Sequence, residues 1–323
     1  MSILVITENR NGKIKKQSFE AVSYASHLAK NSSGSVTAVV FGNVSSEELA
    51  NLSKYGAAKI LTVTSEIYQQ LDNMLYTRAI EEIVNKENAK FVLFSHSHFG
   101  KAVAPRLSVR LKAGLATGVT SLPVTMSPFQ VKRRSYNGSA FSNVIINTEV
   151  KILCLNPNAS DVVEAPVAGQ TENFGPSADA SLKKTNVKSV DLITGKILLS
   201  EASIVVSGGR GMKSGDNWKP IEELAGLLGA GLACSRPVSD EGWRSHEEHV
   251  GQTGKIIAPD LYIAVGISGA IQHIGGISGS KYIVAIDKDK DAAIFSYASY
   301  GIVGDAFQVL PRLIESVKKF KAS

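Results

Sequence analysis

The sequence predicts an α/β protein with two doubly wound parallel-sheet domains, the first carrying an added antiparallel segment. Short apolar runs typical of buried strands alternate with segments of helical spacing in both halves of the chain. At 323 residues the chain is long enough for two domains of ordinary size. We expect an N-terminal domain over residues 1–188, ending in a linker from about residue 156, and a C-terminal domain over residues 189–323.

The composition, 44% hydrophobic and 20% charged residues, is typical of a soluble globular protein. No apolar run approaches the ~20 residues of a membrane span, and no targeting pattern opens the chain, so membrane insertion is not expected. Cys154 and Cys234 lie far apart without metal or redox spacing, which favours a reducing, cytoplasmic setting. The net charge is +6, and the basic groups at 132–134 and 318–319 lack interleaved aromatics, so nucleic-acid binding is not expected.

The N-terminal half alternates between the two element types. Its expected strands and helices are, in order, strand 3–6, helix 18–30, strand 35–41, helix 46–54 capped by Ser45, strand 59–63, helix 74–85, strand 91–94 and a helix starting at 106–112. This alternation favours a mainly parallel sheet.

A polar loop, Ser95-His96-Ser97-His98, follows the strand at 91–94. Ligands of such sheets bind beyond the carboxyl ends of strands, so this loop is a candidate site for a nucleotide or, through the His-x-His pair, for a metal. No other cluster in the sequence completes a metal site. A structural loop or a subunit contact is therefore the favoured interpretation.

The pattern changes from Pro123 to Leu155 into short alternating segments. We expect antiparallel pieces at 130–135, 142–147 and 151–155, with an Asn-Gly turn within 136–138. Residues 156–188 are rich in Pro, Gly, Ser, Ala and Asn and form the best linker candidate.

The C-terminal half again alternates strands and helices. Strands are expected at 204–206, 231–234, 261–265 and 282–286, and helices at 218–228 and 311–320. A glycine turn follows the first of these strands, and it carries Arg210, which is able to contact phosphate.

The most informative stretch runs from Val250 to Ser280. The strand at 261–265 leads straight into the loop Gly266-Ile267-Ser268-Gly269-Ala270-Ile271-Gln272-His273, and Gly251-Gln252-Thr253-Gly254 lies upstream. Glycines let a backbone approach phosphate, and the following amides point at it, so the stretch suggests a dinucleotide. The loop matches neither the G-x-G-x-x-G fingerprint nor a G-x-S-x-G nucleophile elbow. Glycine turns also occur in α/β domains without any ligand.

Several motifs in these last 120 or so residues resemble the FAD-binding C-terminal domain of the electron transfer flavoprotein alpha subunit. They are Val206-Ser207-Gly208-Gly209-Arg210-Gly211, Cys234-Ser235-Arg236, Val250 to Lys255, Ala258 to Tyr262, Gly266 to His273 and Tyr300 to Asp305. The first half is similar to that family more loosely.

The resemblance implies an electron carrier without substrate turnover of its own and without catalytic residues. It implies FAD as cofactor and a heterodimer with a beta subunit. Electrons would come from flavin dehydrogenases, such as those of fatty-acid β-oxidation acting on acyl-CoA, and pass to a quinone oxidoreductase. The C-terminal domain would be mobile, with a hinge within residues 156–199.

The resemblance also implies roles for matching positions. Arg210, Ser268 and the 266–271 amides would hold the pyrophosphate. Arg236 would supply positive charge at the flavin ring, Thr253 would face N5, and His273 would donate to O2. The complete expected FAD set is Arg210, Ser235, Arg236, Val250, Gly251, Gln252, Thr253, Ser268, Gly269, Ala270, Ile271, Gln272, His273, Asp287, Asp305 and Ala306. The family commonly has asparagine where this chain has Asp287, which would weaken FAD binding unless Lys288 compensates.

Three other interpretations remain open from the sequence. A flavin-bifurcating member of the same family, using NADH, cannot be separated from a simple carrier. A nicotinamide-dependent dehydrogenase would need the missing G-x-G-x-x-G turn and its acidic partner. A non-redox subunit that has lost its cofactor is disfavoured because Arg236, Thr253 and His273 are retained.

Overall fold

The computed structural model describes residues 1–136, 140–177, 180–190 and 197–322. Contacts within the chain divide it into two compact units, Met1–Val190 and Asp191–Ser323, which we call unit 1 and unit 2. The Asn-Gly turn expected within 136–138 falls mainly outside the described residues.

Unit 1 is built on a mainly parallel sheet flanked by helices. Its helices are α1 (Lys16–Lys30), α2 (Ser46–Lys54), α3 (Asn73–Lys86) and α4 (His98–Leu111). Its strands are β1 (Ser2–Ile6), β2 (Asn9–Arg10), β3 (Lys13–Ile14), β4 (Ser35–Phe41), β5 (Lys59–Val63), β6 (Ala89–Ser95), β7 (Gly114–Val119), β8 (Thr125–Met126), β9 (Phe129–Ser135), β10 (Ala140–Ile145), β11 (Lys151–Leu155) and β12 (Gln170–Asn173).

The strand order of the large sheet is β10-β9-β7-β11-β6-β1-β4-β5-β12, with β8 paired to β9. Apolar residues of α1 and α2 pack on one face of this sheet, and those of α3 and α4 pack on the other. Strands buried on both faces read as continuous apolar runs, which is why β1, β4 and β6 are visible in the sequence.

Strand β11 corrects one sequence expectation. The sequence pattern groups residues 151–155 with the antiparallel pieces, but β11 pairs in parallel with both β6 and β7 and lies inside the sheet. Its last four residues are buried, as a central parallel strand requires. The antiparallel extension consists of β8, β9 and β10.

Helix α4 begins at His98, earlier than the expected start near Arg106. The side chain of Ser97 caps it, accepting a hydrogen bond from the amide of Gly100 at 3.0 Å. The polar loop after β6 is therefore short, and His98 is the first residue of the helix.

The predicted linker segment is attached to unit 1 over much of its described length. Strand β12 pairs in parallel with β5, and the amides of Ala165 and Val167 donate to the carbonyls of Lys54 and Ser53. Further along, the carboxylate of Asp72 accepts three hydrogen bonds from Lys184 and Thr185. The composition of residues 156–188 predicts an unattached linker. The segment is held instead by backbone hydrogen bonds, which require no apolar pattern in the sequence.

Unit 2 is a five-stranded parallel sheet in the order β14-β13-β15-β16-β17. The strands are β13 (Ile204–Gly208), β14 (Gly231–Cys234), β15 (Leu261–Val265), β16 (Tyr282–Asp287) and β17 (Tyr300–Val303). The helices are α5 (Lys219–Leu228), α6 (Arg236–Asp240), α7 (Ile271–Ile277) and α8 (Ala306–Ala322). Helices α5 and α8 cover one face, and α7 covers the other.

The last helix starts before the proline at which the sequence pattern begins it. Helix α8 runs from Ala306 and contains Pro311 in its interior. The carboxylate of Asp305 accepts a hydrogen bond from the amide of Phe307 at 3.0 Å. That cap starts the helix ahead of Pro311, which the sequence pattern places in the first turn.

Candidate functional site

The strand order of unit 2 defines a switch point between β13 and β15. The chain leaves β13 for β14 on one side and then crosses to β15 on the other side. In open parallel sheets, ligands bind outside the carboxyl ends of the two strands at such a point. The loops after these strands are the glycine-rich ones that begin at Gly209 and Gly266.

These two loops touch each other closely through their glycines. The amide of Gly209 donates to the Val265 carbonyl at 2.9 Å, and the amide of Gly211 donates to the Gly266 carbonyl at 3.0 Å. A Cβ at Gly266 would lie 2.8 Å from the Cα of Gly211, and Gly266 has φ +61°. Neither glycine can carry a side chain without moving the other loop, so the close approach of the two loops requires glycine at both positions.

A second turn joins the cradle. The amide of Val250 donates to the Cys234 carbonyl at 3.0 Å, and that of Gln252 donates to the Gln272 carbonyl at 2.9 Å. A Cβ at Gly276 would come within 2.5 Å of the Cα of Gly251. The turn at 250–255 is thereby fixed between the end of β14 and the start of α7.

Most of the expected polar side chains at this edge are exposed to solvent. This exposed set is Arg210, Arg236, Gln252, Thr253, Ser268 and Gln272. Ser235 is buried at the start of α6. Gly269, at φ +87°, and Ala270 lead into Ile271, the first residue of α7. The structure thus brings the loop, the turn and the start of α6 to one edge of the sheet.

His273 occupies a different environment from that of the exposed residues. Its side chain is buried, and its Nε2 lies 2.9 Å from the hydroxyl of the fully buried Tyr262. Burial lowers the pKa of His273 to about 4, against a smaller opposing effect of the nearby Val250 carbonyl. Its Nδ1 is buried and makes no hydrogen bond of ordinary geometry to a described residue. The imidazole is therefore neutral at pH 7 and held in the protein interior.

Arg236 forms an ion pair that the sequence pattern does not single out. Its Nε lies 3.2 Å from Oδ2 of Asp240, one turn along α6, and both side chains are more than half exposed. The buried imidazole of His249 lies beneath the turn, because a Cβ at Gly254 would come within 2.8 Å of its Nδ1. The spacing of four residues on a helix was the available signal for Asp240.

The residues expected at the adenosine end follow β16 and β17. Asp287 ends β16 and accepts a hydrogen bond from the amide of Asp289, and its carbonyl accepts one from Gly304 at 2.9 Å. Asp305 is exposed, and Ala306 is buried at the start of α8. The structure places these three positions together, beside the end of β16.

The polar loop of unit 1 shows no such open cradle among the described residues. Ser97 donates to the carboxylate of Glu8, which also pairs with Lys15. Burial lowers the pKa of His96 to about 4, assisted by the charges of Lys101 and Arg133. Over the described ranges, no group of three His, Cys, Asp or Glu residues could hold a metal ion.

The fold and this edge define a class: a two-unit α/β protein whose second unit carries glycine-rich loops at the switch point of its parallel sheet. Residues 3–190 match the electron transfer flavoprotein domain, and residues 198–278 match the electron transfer flavoprotein FAD-binding domain.

The electron transfer flavoprotein subunit alpha of Syntrophomonas wolfei is 38% identical over 98% of both chains. That of Bacillus subtilis is 36% identical over 98% of this chain and 97% of its own. That of Dictyostelium discoideum, a mitochondrial protein, is 34% identical over 98% and 92%. The chain belongs to the electron transfer flavoprotein alpha-subunit family.

Solved structures add little to this comparison. Acinetobacter baumannii MurG, for example, covers all of this chain and 91% of its own, with 10% identity and a TM-score of 0.32. A likeness this weak says nothing about function.

Among the helices of the described residues, none combines the length and the hydrophobicity that a membrane span requires.

Proposed function

We propose that unit 2 binds FAD and that the chain serves as the alpha subunit of an electron carrier. The observation that carries this proposal is the glycine cradle at the β13–β15 switch point, flanked by exposed hydrogen-bonding side chains. The cradle suits a pyrophosphate, because it lies beyond the carboxyl ends of β13 and β15 and leads into the first amides of α7. The family domain that matches residues 198–278 is described as FAD-binding.

The pyrophosphate would lie on the loop after β15. Arg210 is exposed beside the cradle and supplies a fork of donors suited to phosphate. The Ser268 hydroxyl and the amides of Gly269, Ala270 and Ile271 would complete this contact. These groups bind and orient the cofactor and undergo no chemistry themselves.

The flavin ring would lie against the turn and the start of α6. Arg236, Gln252, Thr253 and Gln272 would form the exposed surface, with Ser235, Val250 and Gly251 buried behind it. The fixed charge of Arg236 favours the electron-rich form of the ring. His273 would act towards the ring as a neutral hydrogen-bond donor and not as a positive charge, since its pKa of about 4 excludes an imidazolium at pH 7.

The adenosine would lie beyond the ends of β16 and β17. The Asp287 carboxylate can accept hydrogen bonds from ribose hydroxyls, but it brings negative charge towards the phosphates. Lys288 is exposed next to it and would offset that charge. Asp305 and Ala306 would border the same end.

Bound FAD accepts and releases electrons, which is the chemistry that the protein itself lacks. We infer that the chain pairs with a beta subunit, takes electrons from flavin dehydrogenases such as acyl-CoA dehydrogenases, and delivers them to a quinone oxidoreductase. The exposed side chains around the cradle support a cofactor that other proteins can approach.

The test is to purify the chain with its beta subunit, measure FAD per heterodimer, and follow the visible spectrum during stepwise reduction. A yellow complex with about one FAD per alpha chain that takes up electrons one at a time is expected. A colourless complex that takes up no added FAD would overturn the proposal.

Matched variants localise the cofactor. Gly266→Ala should abolish FAD binding, because its Cβ would collide with the Gly211 backbone. Gly226→Ala, where a Cβ meets nothing within 4 Å, should retain FAD. Arg210→Gln alters only an exposed side chain and should weaken FAD binding about tenfold or more, as expected for a lost hydrogen bond to a charged group. Unchanged affinity in both Gly266→Ala and Arg210→Gln would place FAD elsewhere.

A further inference from the structure

Arg236 is a fixed positive charge close to the turn that carries Gln252 and Thr253. It is the first residue of the short helix α6, and its side chain runs along that helix to Asp240 at the other end. The contact is made by Nε, at 3.2 Å from Oδ2 of Asp240. Among the described residues, neither Nε nor the two terminal guanidinium nitrogens of Arg236 has another hydrogen-bond partner.

The pairing has a directional consequence for the guanidinium. A carboxylate at Nε restrains the guanidinium beside Asp240 and leaves its two terminal nitrogens without a described hydrogen-bond partner. The same carboxylate also offsets part of the positive charge. Arg236 is therefore both oriented and attenuated by a residue on its own helix.

The imidazole of His249 connects this pair to the turn. It is buried beneath Gly251 and Gly254, and a Cβ at Gly251 would lie 3.3 Å from its Nε2. Burial lowers the pKa of His249, Asp240 raises it, and Arg236 and His246 lower it. His246 in turn is bound through Nδ1 to the hydroxyl of Ser239 at 2.7 Å. The negative charge of Asp240 therefore acts on the His249 imidazole beneath the turn.

We propose that Asp240 is a positioning residue that acts through Arg236, holding its guanidinium along α6 and reducing its effective positive charge at the flavin. This rests on the proposed function, in which Arg236 faces the ring. The chain thus sets how strongly reduced FAD is favoured by balancing a cation at one end of α6 against an anion at the other.

The decisive variant is Asp240→Asn in the complete heterodimer, and the measured quantity is the ratio of affinities for reduced and oxidised FAD, obtained from the midpoint potential. The ratio should rise about two- to fivefold, the range of an exposed ion pair. In an Arg236→Gln background the same substitution should leave the ratio unchanged. An unchanged ratio in the single variant, or an equal rise in both backgrounds, would overturn the proposal.

A second readout needs no bound cofactor. In the FAD-free protein, Asp240→Asn should lower the pKa of the His249 ring, measured by NMR, and speed hydrogen exchange at Arg236 Nε. If the wild-type protein takes up no FAD, the proposed function fails, and these two measurements still decide whether Asp240 holds Arg236.

The control is Glu223→Gln. Glu223 pairs with Lys318 at 2.7 Å, and both side chains are about half exposed, as in the Arg236–Asp240 pair. It joins α5 to α8, away from the residues assigned to FAD. Its loss should change neither the affinity ratio nor the His249 pKa. A change in the affinity ratio as large as that of Asp240→Asn would show that surface charge alone is responsible, and would overturn the role of Asp240.

Discussion

Among single residues, His273 gives the stability of unit 2 a dependence on pH. The folded protein holds a neutral imidazole with a pKa of about 4, whereas the ordinary value is 6.5. Below pH 6.5 the His273 imidazole therefore binds a proton in the unfolded chain but stays neutral in the folded chain. The free energy of unfolding falls with pH until about pH 4. At about 1.4 kcal/mol per pKa unit, the loss amounts to about 3 kcal/mol.

The measurement is urea unfolding of unit 2 signals at pH 7 and at pH 4.5, compared with His273→Gln. The glutamine can still pair with the Tyr262 hydroxyl but does not titrate. Its stability should depend less on pH than that of the wild type by most of this amount. Equal slopes for the two proteins would mean that the imidazole of His273 is solvated.

The sequence motifs predicted the position of the cradle but not the placement of every side chain around it. Glycines and hydroxyls after a strand were enough to locate the cradle, because the close approach of two backbones demands glycine wherever it occurs. The pattern could not show that His273 turns inwards to Tyr262, since both exposed and buried imidazoles follow such loops. Asp240 was missed because an i,i+4 carboxylate on a short helix is indistinguishable from ordinary surface charge.

Among elements, Asp72 holds two segments that are distant in the sequence. One oxygen caps α3 through the amides of Met74 and Leu75, and the other accepts from the backbone and hydroxyl groups of 184–185. Although burial opposes ionisation, these hydrogen bonds lower the pKa of Asp72 to about 2. Its contribution to stability is present above pH 3.8 and lost as the pH falls towards 2.

Asp72→Ala should therefore release the 184–185 segment from unit 1 and destabilise that unit by about 2 kcal/mol, comparable to a lost cap with its additional hydrogen bonds. Limited proteolysis followed by mass spectrometry should show faster cleavage near 184–185. Glu82→Ala makes a useful comparison, since Glu82 binds the exposed amide of Ser177 in the same segment. Equal resistance of Asp72→Ala and the wild type would show that the other contacts of the segment secure it without Asp72.

Some elements were predictable and others were not, for physical reasons. Strands β1, β4 and β6 carry uninterrupted apolar runs because both of their faces are covered. Strand β7 was missed because Gly114 and Gly118 weaken the strand pattern. Strand β12 was missed because all four of its residues are exposed, so the only signal for it is backbone pairing with β5.

At the scale of the whole molecule, the two units should respond differently to the cofactor. The proposed FAD set lies entirely within unit 2, and a ligand stabilises only the part of the protein that binds it. At a concentration about 100 times the dissociation constant, FAD stabilises its unit by about 2.7 kcal/mol.

Hydrogen exchange with and without FAD should therefore slow at the amides of 209–211, 250–255 and 266–273, and in strands β13 and β15. The amides of β1, β4 and β6 should serve as the internal control and exchange at the same rate in both states. Protection spread equally over both units would contradict a site confined to unit 2.

The central position of β11 also affects when unit 1 can fold during synthesis on the ribosome. A nascent chain that has emerged from the ribosome only as far as residue 150 holds β6 and β7 but lacks the strand that joins them. The gap is filled when residues 151–155 appear, and the far edge is completed at 170–173. Unit 1 can thus close in full only when most of its residues have been synthesised, just before unit 2 emerges, so the two units mature in sequence with little overlap.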